Sequence, residues 1–266
     1  MTANTQTSQP ISVEQAIDLW YTVPKRRFSD RALQILKGAE NFRLPFGKVE
    51  LAVSTWGDSA HPLVILVHGW GAHRAQLASF VPALQAKGYR IASFDAPAHG
   101  DSPGVQTQGF EIASAMQALI SKVGDPYAII SHSFGGLATN IALSRGVKPQ
   151  RLVFTGPLRR LSDALKEFVQ MNRLDDEASE AIKKNVVDKF GEDAWERTSL
   201  DIQLPKYKIP ALIVHDRKDD VIPYLSGVAI AHAWKSARLF STSGLGHRSI
   251  LRSQRVINEV AEFIAT

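Results

Sequence analysis

The chain of 266 residues contains no cysteine. This absence excludes disulfide bonds, thiolate metal sites and a cysteine nucleophile, and it gives no indication of an oxidising compartment. Long hydrophobic runs are missing as well, because the longest apolar stretches have the length of a single strand, so we expect no membrane span. Residues 1–8 carry neither a basic segment nor an apolar core, and we therefore expect no signal peptide and a cytoplasmic protein.

A strong excess of one charge is also missing. The sequence has 31 Lys and Arg against 26 Asp and Glu, a mildly basic net charge of +5. The basic tracts at 25–27 and 159–160 are short and have no interleaved aromatic residues, so we interpret both as solvated surface and expect no nucleic-acid partner. The hydrophobic content of 44% and the length of the chain are sufficient for a large buried core.

The sequence does contain a regular alternation of strand-like and helical patterns. Strand-like runs occur at 63–67, 90–94, 127–131, 151–155, 211–215 and 238–241, and the first of them is continuously apolar. Helical patterns lie between or after them, near 75–87, 107–122, 137–144, 224–235 and 249–264. Continuous apolar runs are typical of parallel strands that are buried on both faces. The predicted fold is therefore α/β, a doubly wound, mostly parallel sheet with helices on both faces.

The same patterns predict the organisation of the chain. Residues 1–40 form an N-terminal helical extension, of which 1–9 are polar and predicted to be disordered. The core comprises 41–156 and 206–266 and begins with an antiparallel hairpin. Residues 157–205 contain helical patterns and no strand-like run, and they follow directly after a strand. Because open sheets bind ligands at the carboxyl ends of their strands, we interpret this segment as a helical lid.

One short stretch, residues 131–136, has the pattern of a nucleophile elbow. It lies between a strand and a helix, with Ser133 flanked two positions away by Ser131 and Gly135. A very tight turn would expose the Ser133 hydroxyl above the strand end, and the flanking residues must be small because the two backbones nearly touch. The usual first glycine is replaced by Ser131, which we expect to be buried with its hydroxyl bonded locally.

Four further motifs follow predicted strands, at residues 68–71, 94–102, 215–223 and 244–247. Together with the elbow, and in this order, they resemble the α/β-hydrolase superfamily, in particular its Ser-dependent esterase and lipase-like branches. The resemblance extends from about residue 49 to the C-terminus. It implies an α/β-hydrolase fold with a small helical lid, a catalytic triad and no cofactor or metal.

Carried over residue by residue, the resemblance implies Ser133 as the nucleophile and His247 as the base. The family pattern HGxxDxxxP places the triad acid at Asp219, whereas Asp216 occupies the glycine position of that pattern. We favour Asp219 over Asp216, with Asp220 third. The oxyanion donors implied are the backbone N–H groups of two further residues, Trp70 and Phe134.

The remaining histidines are assigned no catalytic role. His132 adjoins the nucleophile, but successive side chains diverge there, so we interpret it as a packing residue. His68 and His99 resemble motif histidines that stabilise turns. The other four follow no recognisable pattern: His61, His73, His215 and His232.

These residues predict a serine hydrolase that cleaves a small soluble carboxylic ester and has a small molecule as its partner. The same triad also serves acyltransferases, thioesterases and C–C hydrolases, and a slow-turnover ligand receptor could retain it. Arg159, Arg160 and Arg248, near predicted strand ends, permit a carboxylate-bearing substrate. The substrate itself and the oligomeric state are left open by the sequence.

Overall fold

The computed structural model describes residues 11–266, so the predicted disorder at 1–9 lies outside the described residues. Within them the sheet has eight strands in the order β1-β2-β4-β3-β5-β6-β7-β8. The strands are β1 (Glu40–Phe46), β2 (Val49–Trp56), β3 (Leu63–Val67), β4 (Arg90–Phe94), β5 (Ala128–His132), β6 (Arg151–Thr155), β7 (Ala211–Asp216) and β8 (Ala237–Thr242). At one edge β1 pairs antiparallel with β2, and β2 pairs antiparallel with β4. All the remaining strand pairs are parallel. The mostly parallel sheet and its N-terminal hairpin are thus confirmed.

Helices connect the strands and extend the chain at both ends. They are α1 (Val13–Tyr21), α2 (Asp30–Lys37), α3 (Val81–Ala86), α4 (Gly109–Val123), α5 (Gly135–Ser144), α6 (Leu161–Asn172), α7 (Asp176–Phe190), α8 (Ala194–Arg197), α9 (Leu200–Gln203), α10 (Tyr224–Ala233), α11 (Gly246–Ser249) and α12 (Gln254–Ala265). None of the helices in residues 11–266 is long and apolar enough to cross a membrane.

Each central strand is buried on both of its faces. In β3, for example, Ile65 belongs to the hydrophobic cluster under α4, α5 and α10, whereas Leu66 belongs to the cluster under α2, α3 and α12. Both side chains are fully buried. Burial of a side chain of this size contributes about 1.5–3 kcal/mol, which explains why β3 is apolar at every position. The predicted placement of helices on both faces is confirmed.

Two helices are shorter than their sequence patterns predict. The helix predicted at 75–87 becomes α-helical only at Val81, because Pro82 has no N–H and fits best in the first turn of a helix. The preceding residues form turns and a single 3₁₀ turn at Ala78–Phe80. The last helix, predicted at 249–264, is interrupted by Ser253, whose extended backbone (ψ 120°) separates α12 from a 3₁₀ turn.

The N-terminal helix packs on the helices inserted between β6 and β7, at residues 157–205. Ala16 of α1 is buried in a small cluster with Leu165, Ala178 and Ile182. The hydroxyl of Tyr21 at the end of α1 donates a hydrogen bond of 2.9 Å to Asn185 Oδ1 of α7. This contact joins the beginning of the described chain to the inserted helices.

Candidate active site

Ser133 occupies a tight turn between β5 and α5. Its backbone lies in the left-handed region (φ 53°), which costs a residue with a side chain about 1–2 kcal/mol. The turn is held by two hydrogen bonds of 3.0 Å, from Ser133 N–H to the Thr155 carbonyl and from Gly136 N–H to the Ser133 carbonyl. The side chain is partly exposed at the carboxyl edge of the sheet, which is the position that an elbow nucleophile requires.

The small residues around Ser133 are explained by close backbone contacts. A Cβ on Gly135 would lie 2.5 Å from the carbonyl oxygen of His68, so α5 can pass the end of β3 only with glycine there. Ser131 is buried, with 1% of its surface exposed, and its hydroxyl lies 3.4 Å from the Val153 carbonyl. Ser131 is therefore buried and bonded within the sheet, as predicted, and it is Ser133 that reaches the surface.

The structure brings His247 and Asp219 together. His247 Nδ1 lies 2.8 Å from Asp219 Oδ2, and the two side chains are 7% and 0% exposed. The other carboxylate oxygen, Oδ1, accepts hydrogen bonds from the N–H groups of Val221 (2.9 Å) and Ile222 (2.8 Å). Burial by itself raises the pKa of Asp219, but the hydrogen bonds from His215, His247 and Ile222 outweigh it and hold that pKa below its usual range. The carboxylate is therefore ionised and fixed in orientation.

The other two candidate acids do not contact the imidazole of His247. All the hydrogen bonds of the Asp216 carboxylate go to Thr242 and to backbone N–H groups. The exposed Asp220 accepts a long hydrogen bond of 3.4 Å from the His247 backbone N–H. Of the three carboxylates in residues 215–223, the geometry pairs Asp219 with the histidine.

The sequence analysis missed two residues that lie beside the His247–Asp219 pair, His215 and Gly156. His215 is fully buried, and its Nε2 lies 3.3 Å from Asp219 Oδ2 and 3.0 Å from the Ile222 carbonyl. Its place as the first residue of the HGxxDxxxP pattern was a signal that could have indicated this contact. A Cβ on Gly156 (φ 51°) would lie 3.1 Å from His247 Nδ1 and 3.2 Å from Asp219 Oδ2. Gly156 follows β6 directly, and no motif pointed to it.

His247 approaches the elbow through the residue before the nucleophile. Its ring packs on the ring of His132, with centroids 4.5 Å apart. His132 Nδ1 lies 2.8 Å from the carbonyl of Thr155, the same carbonyl that accepts from Ser133 N–H. Within residues 11–266, the side chain of Ser133 forms no hydrogen bond to His247. The structure thus places the His247 ring against His132, the residue before Ser133.

The loop after β3 lies next to Ser133. A Cβ on Gly69 would be 3.1 Å from the Cβ of Ser133. The rings of Trp70 and Phe134 pack with centroids 5.0 Å apart. In the described part of the chain, the backbone N–H groups of Trp70 and Phe134 have no hydrogen-bond acceptor. Two N–H groups without an acceptor, next to the partly exposed hydroxyl of Ser133, are the groups that an oxyanion site requires.

The other motif histidines stabilise turns, as predicted. Burial lowers the pKa of His68 to about 4 and that of His99 to about 3, so both are neutral at pH 7. His68 Nε2 accepts a hydrogen bond of 3.1 Å from the Ala96 N–H, and His99 Nδ1 lies 2.9 Å from the Pro97 carbonyl. Burial likewise lowers the pKa of His132 to about 3, which agrees with a packing role.

Two of the three arginines considered for substrate binding are paired with carboxylates. Arg159 forms an ion pair of 3.1 Å with Asp163, and Arg160 forms one of 2.6 Å with Asp201. Arg248, which is exposed and follows His247, has no ion-pair partner among residues 11–266. Only Arg248 therefore still fits the suggestion of a cation near the site.

The sequence matches the alpha/beta hydrolase family over residues 64–260. This match covers most of the chain, and the chain therefore belongs to the alpha/beta hydrolase family. The expectations of this fold and of a hydrolase are confirmed. A similar protein, the pimeloyl-[acyl-carrier protein] methyl ester esterase of Neisseria meningitidis serogroup C, is 26% identical over 71% of this chain and 87% of its own length. The lysophosphatidylserine lipase of Danio rerio is 25% identical over 93% of this chain and 66% of its own length.

Solved structures show the same fold at lower sequence identity. A bromoperoxidase from Bacillus anthracis superposes with a TM-score of 0.65 at 18% identity, over 85% of this chain and 99% of its own. An esterase from Rhodococcus sp. superposes with a TM-score of 0.64 at 18% identity, over 86% of this chain and 99% of its own. These neighbours support the fold.

Proposed function

We propose that this chain is a serine hydrolase that cleaves a small soluble carboxylic ester, with Ser133, His247 and Asp219 as its catalytic triad. The observation that carries the proposal is the 2.8 Å contact between His247 Nδ1 and Asp219 Oδ2, in a histidine whose ring packs beside the Ser133 elbow. A buried carboxylate on Nδ1 fixes the tautomer that leaves Nε2 free to accept a proton.

The proposed reaction proceeds through an acyl-enzyme. Ser133 Oγ attacks the acyl carbon while His247 Nε2 accepts the hydroxyl proton, and the same proton is then given to the departing alcohol. A water molecule, deprotonated by His247, attacks the acyl carbon next, and Ser133 leaves with the proton returned to it. The N–H groups of Trp70 and Phe134 stabilise the oxyanion in both halves, and losing one such donor typically costs about 3–4 kcal/mol.

The hydrogen bond between Ser133 and His247 forms, in this proposal, when substrate binds. Catalytic hydrogen bonds are often long or poorly aligned without substrate and shorten in the Michaelis complex. The ring of His247 already packs on His132, the residue before Ser133. Gly156 supports this arrangement, since its lack of a Cβ provides the space that the His247–Asp219 pair occupies.

The relatives support an ester as the substrate. The Neisseria meningitidis relative is named for a methyl ester, and the Danio rerio relative for a lysophosphatidylserine.

We further propose that the inserted helices, residues 157–205, act as a lid whose outer surface suits water rather than lipid. Surface ion pairs on α7 join Lys183 to Glu180 and Lys184 to Asp188, each at 2.6 Å.

The proposal is tested with Ser133→Ala and with Ser131→Ala as its matched control. Both changes remove one hydroxyl, but only Ser133 is accessible to substrate. With short-chain p-nitrophenyl esters, Ser133→Ala should lower kcat by about 10⁴–10⁶-fold, while Ser131→Ala should retain turnover close to that of the wild type. Full turnover by Ser133→Ala would refute the triad. A panel of esters, thioesters and lactones assayed in parallel identifies the bond that is cleaved.

A further inference from the structure

Asp216 is a buried carboxylate that the proposed reaction does not use. It is the last residue of β7, is fully buried, and stands at a position where the family pattern has glycine. A buried charge of this kind is costly unless it is fully hydrogen-bonded, and removing one partner then leaves an uncompensated group. The contacts of Asp216 therefore show what its charge stabilises.

The carboxylate accepts four hydrogen bonds from two loops. One comes from the acid loop (residues 217–222): the N–H of Lys218 donates to Oδ1 at 2.9 Å. Three come from β8 and the base loop that follows it (residues 243–247). The Gly244 N–H donates to Oδ1 at 3.0 Å, and the Thr242 hydroxyl and the Leu245 N–H donate to Oδ2 at 2.6 and 3.0 Å.

The base loop has few other contacts that fix it. Gly244 and Gly246 both have positive φ angles (88° and 68°), and a Cβ on Gly244 would meet nothing within 4 Å. In the described chain, the backbone N–H groups of residues 243–247 that find an acceptor outside the loop bond to Asp216 or, over 3.4 Å, to Asp220. Leu245 also packs on the hydrophobic cluster under α12, so the Asp216 carboxylate is the main polar anchor of the chain that leads into His247.

We propose that Asp216 is a positioning residue that holds the base loop against the acid loop and so sets the contact between His247 and Asp219. This inference rests on the proposed function, because it assigns a role within that triad. Glycine at this position would supply no acceptor, so the base loop of this chain is held by a side chain that the family pattern does not require. The Asp216 carboxylate forms no hydrogen bond to His247, so its effect on that residue is exerted through the loop.

The charge state of Asp216 agrees with this role. Burial by itself raises the pKa of Asp216, but the Thr242 hydroxyl and the N–H groups that point at it outweigh burial and lower that pKa below its usual range. The group therefore remains an acceptor on both oxygens throughout the range in which an esterase is assayed. An amide in its place would present one NH₂ group to two donors.

The test compares Asp216→Asn, Asp216→Gly, Thr242→Val and Thr242→Ser. Because a misplacement of 1 Å can cost about 100-fold in rate, Asp216→Asn should lower kcat by about 10–100-fold with KM changed by less than about twofold. Asp216→Gly should lower kcat by at least as much as Asp216→Asn. Thr242→Val should lower kcat by a smaller factor, and Thr242→Ser, which keeps the hydroxyl, should restore it.

The NMR signal of the proton on His247 Nδ1 distinguishes a positioning role of Asp216 from a role in stability alone. Its downfield ¹H NMR signal should broaden or shift in folded Asp216→Asn and Thr242→Val, and remain unchanged in Thr139→Val. The last change removes an equally buried hydroxyl, which bonds the Gly135 carbonyl at 2.9 Å within α5. The signal is read without substrate, so it tests the positioning even if the substrate class is wrong.

Two results would overturn the inference. One is a folded Asp216→Asn variant with wild-type kcat and an unchanged His247 signal. The other, decisive if Asp216→Asn does not fold, is a Thr242→Val variant that loses stability but keeps kcat and the His247 signal at wild-type values.

Discussion

The two halves of the candidate site are held by different forces. On the nucleophile side, backbones approach so closely that side chains are excluded, as at Gly135, where a Cβ would lie 2.5 Å from a carbonyl oxygen. On the acid–base side, buried polar groups hold one another: His215, Asp216, Asp219 and Thr242. The first half should therefore be sensitive to added volume, and the second to lost charge or lost hydrogen bonds.

The largest effect is expected from Asp219→Asn, which changes charge with almost no change of shape. An amide cannot hold the Nδ1–H tautomer of His247, so kcat should fall by about 10⁴-fold. Initial rates with an excess of ester measure this directly. A loss below about tenfold would mean that the acid–base half does not depend on the charge of Asp219.

The same carboxylate predicts how stability depends on pH. The pKa of Asp219 is lowered in the folded chain, so near its usual value of about 3.9 the unfolded chain binds the proton more readily than the folded one. Its stabilising contribution is therefore complete above that value and is lost as the pH falls through the folded pKa. Urea titrations should show the stability difference between wild type and Asp219→Asn becoming smaller below about pH 4.

Adding a Cβ at Gly135, on the nucleophile side, should lower the stability of the fold. Gly135→Ala forces the new atom against the carbonyl oxygens of Val67 and His68 and should cost about 3 kcal/mol of unfolding free energy. Gly38→Ala is the matched control, because its Cβ would meet only one atom, 3.6 Å away. Equal midpoints for the two variants in urea would contradict the packing argument.

Gly156→Ala tests the boundary between the two halves. Its Cβ would press on His247 Nδ1 and Asp219 Oδ2, so we expect a loss of about 100-fold in kcat. Gly47→Ala controls for backbone strain, since Gly47 also has a positive φ (59°) but no neighbour within 4 Å. Both variants should lose about 1 kcal/mol of stability, and only Gly156→Ala should lose turnover.

The smallest effect is expected from His215→Leu. His215 shares Asp219 Oδ2 with His247, so its removal takes away one of the groups that hold this carboxylate in place. With a short-chain ester, kcat should fall by about tenfold or less. His232→Leu, at an exposed position in α10, should retain wild-type turnover. A loss in His215→Leu as large as that in Asp219→Asn would show that His215 does more than support the carboxylate.

Much of the fold was predictable because local and global signals agreed. The runs at 63–67, 90–94 and 151–155 coincide with β3, β4 and β6, since each is a short, mainly apolar stretch followed by polar or turn residues. The predicted start of two helices was wrong. In each case a single residue sets the actual start, Pro82 for α3 and Ser253 for α12.

The candidate site was only partly predictable. The glycine spacing around Ser133 is a local pattern, so the nucleophile side could be read from the sequence. Among the neighbouring Asp216, Asp219 and Asp220, the family pattern favoured Asp219, and the structure pairs Asp219 with His247. Spacing could not show what Asp216 contacts. The contact of His215 with Asp219 is local, and its place in the family pattern could have indicated it. The approach of Gly156 to His247 and Asp219 joins residues that are far apart in the chain, and it needed the three-dimensional structure.

The most direct test of the central claim is to locate the residue that a fluorophosphonate labels. The proposal predicts one adduct, on Ser133, formed by a protein that also turns over an ester many times, and no adduct in Ser133→Ala. Labelling on another serine, or persistent labelling of folded Ser133→Ala, would contradict it.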